Sequence, residues 1–235
     1  MDNWELRKFR IDLSMFMDII KDKGVTGDFS ELTNLLSSLN TKSLIEYKFE
    51  NLCFHINGRI VGTEPDDLNY CQIYFDNMLK VKDPFDHDTD PLHMYSFDIN
   101  IQVFKSKTST KKAYFNSWHL DRHPNTQNVK YTHPTYHFQF GGKKMEYIDP
   151  DMSVLSCPRI PHPPMDLFLG FHFILSNFFN NKQFPFVNAV LNDSDYQKII
   201  KRAQNRLWKP YFNAFDSSNT NTDFTIPKIF PLYLN

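Results

Sequence analysis

"YSFDINIQVF", Tyr95 to Phe104, alternates without a break. Tyr95, Phe97, Ile99, Ile101 and Val103 share one side, and Ser96, Asp98, Asn100 and Gln102 share the other. Successive side chains of a strand point to opposite faces, so this stretch predicts a strand with one buried and one polar face. A polar turn, "KSKTSTKK", follows. The next strand is expected from about Ala113 to Arg122, and a third from about His133 to Gly141. Pairing the first two strands through the Lys-rich turn sets Phe97 near Trp118 and Ile101 near Tyr114, which keeps one face apolar.

Working outward, Ile45, Tyr47 and Phe49 alternate with charged residues, and then Leu52, Phe54 and Ile56 alternate up to Gly58. These two runs read as strand pairing near a sheet edge. Residues 66–80 show helical spacing at Leu68, Cys71, Phe75, Met78 and Leu79. The segment "KDPFDHDTDP" reads as an acidic loop. Helices are expected over 4–22, and over 29–39 with an Asp28/Glu31 capping box. "CPRIPHPPMD" leads into a helix from about Pro164 to Phe179, apolar nearly all round and therefore central. A last helix spans 194–208, with a Ser194/Gln197 capping box and an outer side of Lys198, Lys201, Arg202, Arg206 and Lys209. The expected architecture is a single α+β domain over residues 1–235. It has N-terminal helices (4–39), an antiparallel sheet of about five strands (44–141) packed on one face by helices (164–208), and an irregular tail (210–235).

The bulk numbers narrow the partners. Net charge is −1, so no global field recruits nucleic acid, and such binding needs a local patch. The three cysteines are far apart with no CxxC spacing, which argues against a disulfide framework or thiolate zinc site and fits a cytoplasmic setting. The charged, amphipathic start does not read as a signal peptide, and no apolar run is long enough for a membrane span. Walker A, GxGxxG and GxSxG signatures are absent.

The chemistry-bearing stretch is "WHLDRHPNTQNVKYTHPTYHFQFGG", Trp118 to Gly142. A hairpin centred near Asn128 sets His123 opposite His133, Asp121 opposite Thr135 and His119 opposite His137. All four histidines and Asp121 then share one face. Trp118, Leu120, Tyr136, Phe138 and Phe140 share the other. Three readings follow. A divalent metal ion held by His119, Asp121, His123 and His137 suits the HxDxH spacing. Metal-free acid–base catalysis by His119, Asp121, His133 and His137 needs no cofactor, and Arg159 would hold a phosphate at the following helix entry. The third reading is a polar sheet face whose histidines bond locally or meet a partner protein. His162 reads as a turn residue, His172 as a satisfied core histidine, and Cys157 as structural.

The order Asp121, "HPTYHFQFGG", "CPRIPHPPMD" and "FILSNFF" resembles a family of uncharacterised bacterial proteins found with mobile and defence genes. His133, Pro134, His137, Arg159 and Pro161 are the matching positions. The strand–His-rich–strand part is also similar to TumE-type toxins of toxin–antitoxin pairs. That second likeness implies ribonuclease-like toxicity, with His119, Asp121, His133 and His137 as its residues. The chain is longer than such toxins and carries added helices at both ends. The resemblances imply a defence- or toxin-associated protein acting on nucleic acid, a His-dependent nuclease. The alternative is a non-catalytic subunit that binds a protein partner or antitoxin, with no membrane involved in either case.

Overall fold

The computed structural model describes residues 4–63, 65–83, 88–112, 114–124, 131–141 and 157–233. It is an α+β fold with one antiparallel sheet of seven strands in chain order. The long strands are β2 (Glu46–Asn57), β3 (Tyr70–Val81), β4 (Leu92–Phe104), β5 (Tyr114–Arg122) and β6 (Tyr136–Phe140). Two-residue strands, β1 (Gly27–Asp28) and β7 (Ile160–Pro161), close the two edges. The helices are α1 (Leu6–Asp22), α2 (Ser30–Ser38), α3 (Leu167–Phe178), α4 (Phe186–Leu191), α5 (Ser194–Phe212) and α6 (Ile226–Ile229).

The sheet differs from the expected five strands in two ways. Residues 46–57 form one strand with an irregular register between Phe49 and Leu52. Asn51 sits there at φ 62°, and its N–H donates to Asp76 Oδ1 at 2.7 Å. This bulge lets Tyr47 and Phe49 face the core on one side of it and Leu52, Phe54 and Ile56 on the other. Residues 66–80 are not a helix: most of them form β3. Its inward positions are Cys71, Ile73, Phe75, Asn77, Leu79 and Val81, all buried. Asn77 holds a core position because its side chain is satisfied: it accepts from the Tyr47 hydroxyl at 2.6 Å and donates to the Ser96 carbonyl at 2.8 Å. That polar residue in an apolar row, with Tyr74 and Met78 on the outer face, hides the two-residue period.

The apolar face of the sheet is covered chiefly by α3, with α1 and α5 packed around it. At Gly170 an added Cβ would lie 2.4 Å from Phe75 Cζ and 2.6 Å from Phe97 Cε2, so α3 rests on the two phenyl rings. Phe16 of α1 meets Phe168 and Phe171 of α3 edge-on, at 5.3 and 4.8 Å between centroids. Asp166 caps α3 through Leu169 N–H at 3.0 Å and pairs with Arg206 at 2.6 Å, both nearly inaccessible. Arg206 is therefore not on the outer side of α5, where the charge pattern placed it. Its neighbour Arg202 also turns inward, onto Asp12 at 2.6 and 2.8 Å.

Two expected capping boxes are absent. Asp193, not Ser194, caps α5 by accepting from Asp195 and Tyr196 N–H. The N-cap of α2 is Phe29, with no side-chain cap. The tail packs back on the body, as its aromatic content suggests, and carries α6. Thr222 N–H donates to the Asp88 carbonyl, and Thr135 N–H donates to that of Lys228, each at 2.8 Å. His87 and the loop centre near Asn128 lie outside the described residues.

Candidate functional site

The face of the sheet away from α3 carries the histidines. In the β5–β6 ladder Asp121 stands opposite His137, His119 opposite Gln139 and Arg122 opposite Tyr136. The expected pairing is displaced by two residues. An even displacement preserves the face of every side chain. His119, Asp121 and His137 share the polar face, while Leu120, Tyr136 and Phe138 are buried on the other. The β4–β5 pairing is displaced by two in the same way, with Phe97 opposite Leu120 and Ile101 opposite Asn116. Pro134 sits just before β6, where it breaks no ladder bond.

Around this register the rings cluster. His123 and His133 have centroids 4.0 Å apart, and His133 and His137 are 4.5 Å apart. His119 Nε2 lies 3.3 Å from Asp121 Oδ2, so the carboxylate orients that imidazole. Asp121 is half exposed, whereas His137 is 1% exposed. The His137 Nδ1–H donates to the Pro134 carbonyl at 3.2 Å, which fixes its tautomer. Burial pushes its pKa down from 6.5 to about 4, helped by His133, Arg159 and His119 and opposed by the Pro134 carbonyl. His137 is therefore neutral at pH 7. Burial also lowers His133, with the charges of His123 and Arg159 acting in the same sense and the Pro134 carbonyl and Asp121 opposing them.

Arg159 enters from the far edge. Pro161 is opposite His137 and Ile160 opposite Phe138, so Arg159, two residues before Pro161, falls on the histidine face near Gln139. Gln139 donates to the Cys157 carbonyl at 3.3 Å, which ties that strand entry to β6. The entry to α3, where a phosphate was expected, is already filled by the Asp166 carboxylate. The structure thus gathers His119, Asp121, His123, His133, His137 and Arg159 on one face. Among the described residues, no group of three or more His, Cys, Asp or Glu is arranged to hold a metal ion.

The reverse of this site holds residues that spacing did not reveal. Asp90, 1% exposed, accepts from Arg122 Nε at 2.7 Å, from the Tyr136 hydroxyl at 2.8 Å and from Leu92 N–H at 3.0 Å. Burial raises its pKa, and Arg122 opposes that rise. This clamp joins the β5 and β6 residues next to Asp121 and His137. Its members are separated by 32 and 46 positions, so only the register brings them together.

The other singled-out residues have local partners. His162 donates from Nδ1 to the Pro163 carbonyl at 2.7 Å, and His172 Nδ1 is 3.1 Å from the Tyr196 hydroxyl. Burial pushes the Cys53 and Cys71 thiols up to about 11 and about 12, which keeps both protonated.

No helix among the described residues is long and apolar enough to cross a membrane. Comparison of the chain with protein-family models, with curated proteins and with solved structures returns no match.

Proposed function

We propose that the protein acts on nucleic acid as a His-dependent nuclease in a bacterial defence or toxin setting. The observation that carries the reading is the grouping of several imidazoles and a guanidinium on one sheet face. Burial favours the neutral form of His133, which can accept a proton. His119, oriented by Asp121 at 3.3 Å, is the donor in this proposal. On an RNA strand, the 2′-hydroxyl oxygen attacks phosphorus and its proton passes to His133. The bond from phosphorus to the 5′ oxygen breaks, and that oxygen takes the proton from His119. The products are a cyclic phosphate and a 5′-hydroxyl end. Arg159 balances the charge on the phosphoryl oxygens. His137 stays neutral and positions His133 across their edge-to-face contact. The near-neutral net charge makes affinity depend on this local cluster. The test is cleavage of a labelled RNA by the wild type, by His119→Ala and by His133→Ala, each checked for a retained fold.

A second reading has its own observation. Phe212, Phe215, Leu232 and Tyr233 are each at least half exposed, and Phe215 and Tyr233 meet edge-on at 6.0 Å. An apolar surface in this tail favours a non-catalytic subunit that binds a protein partner or antitoxin. Full biological activity of both histidine variants, together with its loss on Phe215→Ser/Tyr233→Ser, supports this reading over the first.

A further inference from the structure

We infer that Arg159, with the imidazoles of His133 and His123, forms an oxyanion site on the histidine-bearing sheet face that takes a phosphate group. The inference rests on the nucleic-acid reading and deepens it by naming the group the face grips and the atoms that grip it.

Unmet hydrogen-bonding capacity points to a ligand. Among the described residues, six buried side-chain nitrogen or oxygen atoms lack a hydrogen-bond partner, and three of them are His123 Nδ1, His133 Nδ1 and Arg159 Nε. Buried polar atoms are nearly always satisfied, so this concentration in one place calls for a bound group. The three residues come from three separate stretches of chain: the end of β5, the approach to β6 and the approach to β7.

Placement and charge define the ligand's chemistry. His133 lies between His123, at 4.0 Å, and His137, at 4.5 Å between centroids. The Arg159 charge acts on both His133 and His137, which puts the guanidinium within electrostatic reach of the cluster. The guanidinium offers only donors, and each imidazole that turns its N–H toward the site adds one, so the complementary ligand is an acceptor with several oxygens, and an Arg fork matches a phosphate geometrically. Two carboxylates share this face: Asp121, half exposed and paired with His119, and Asp98, directly opposite His119 across β4 and β5.

The test is a titration of the full chain with sodium sulfate and, separately, with inorganic phosphate. It is followed by NMR of the 15N-labelled Arg Nε–H and His ring signals. Sulfate is expected to shift the Arg159, His133 and His123 signals saturably. Arg159→Gln should weaken sulfate binding by about tenfold or more, Arg159→Lys by less, and Lys201→Gln not at all. Shifts that do not saturate, or equal affinity in wild type and a folded Arg159→Gln, overturn the site. So do zinc ions moving these signals where sulfate does not. If Arg159→Gln fails to fold, Arg159→Lys with the two His→Ala variants carries the same comparison. Saturable sulfate binding without any RNA cleavage leaves the oxyanion site standing and removes the nuclease. RNA cleavage at full rate in a protein that binds no sulfate does the reverse.

Discussion

Asp121 stands directly opposite His137 across β5 and β6. Behind this pair, the adjacent pair Arg122 and Tyr136 is clamped by the Asp90 carboxylate on the buried face. The site and its clamp are thus two sides of one short ladder, and the geometry of the histidines depends on a buried ion pair they never touch.

Removing one member of that clamp leaves a charge without its partner. Asp90→Ala strands the Arg122 guanidinium and is expected to cost about 3–5 kcal/mol. Tyr136→Phe removes one hydroxyl donor and is expected to cost about 1–2 kcal/mol. Urea denaturation of both variants checks the order. A costlier Tyr136→Phe would contradict the assignment of Asp90 as the centre of the clamp.

Acid sensitivity should follow from His137. Its folded pKa of about 4 lies below the ordinary 6.5. Between those values the unfolded chain binds more protons than the native one, so stability rises with pH across this window and is lost as pH falls through it. His133 acts in the same direction. His137→Asn should flatten the dependence of stability on pH between about 4 and 6.5, by close to one proton in the slope. Denaturation midpoints across that range measure this, and an unchanged slope would show that His137 is not the group responsible.

Gly170 sets how closely α3 approaches the sheet. Its missing Cβ leaves room for Phe75 and Phe97, two buried rings with no free end to move aside. Gly170→Ala is expected to destabilise by about 1–3 kcal/mol through overpacking, even though alanine favours a helix. A thermal melt that rises with this substitution would show that the interface is looser than described.

The tail braces the site from below. Thr135, between His133 and His137, donates its N–H to Lys228, while its carbonyl accepts from His123 N–H at 2.7 Å. Removal of residues 220–235 should therefore broaden or shift the ring signals of His133 and His137 while leaving those of His55 in place. Histidine spectra unchanged by the truncation would separate tail from site.

Much of the sheet was legible because its strands obey the two-residue period, and the helices 4–22 and 164–179 because of their apolar spacing. The shared histidine face was legible for a subtler reason. Both hairpin registers lie two residues from those the spacing predicts, and an even displacement keeps every side chain on its face. What failed was β3, where Asn77 occupies a core position paid for by Tyr47 and Ser96, contacts that no local window contains. Asp90 was invisible for the same reason, since its partners arrive from distant strands. The bulge at Asn51 left its trace only as a phase change between Phe49 and Leu52, which reads equally well as two strands.

On the proposed mechanism, the histidine face cleaves RNA with His133 as base and His119 as acid. The most direct measurement is the single-turnover rate on a labelled RNA oligonucleotide with a chelator present, for wild type, His119→Ala and His133→Ala. Cleavage by the wild type to a cyclic phosphate is expected, with a loss of about 10²–10⁴-fold in each variant. No cleavage by the wild type, or equal rates in all three proteins, would contradict it.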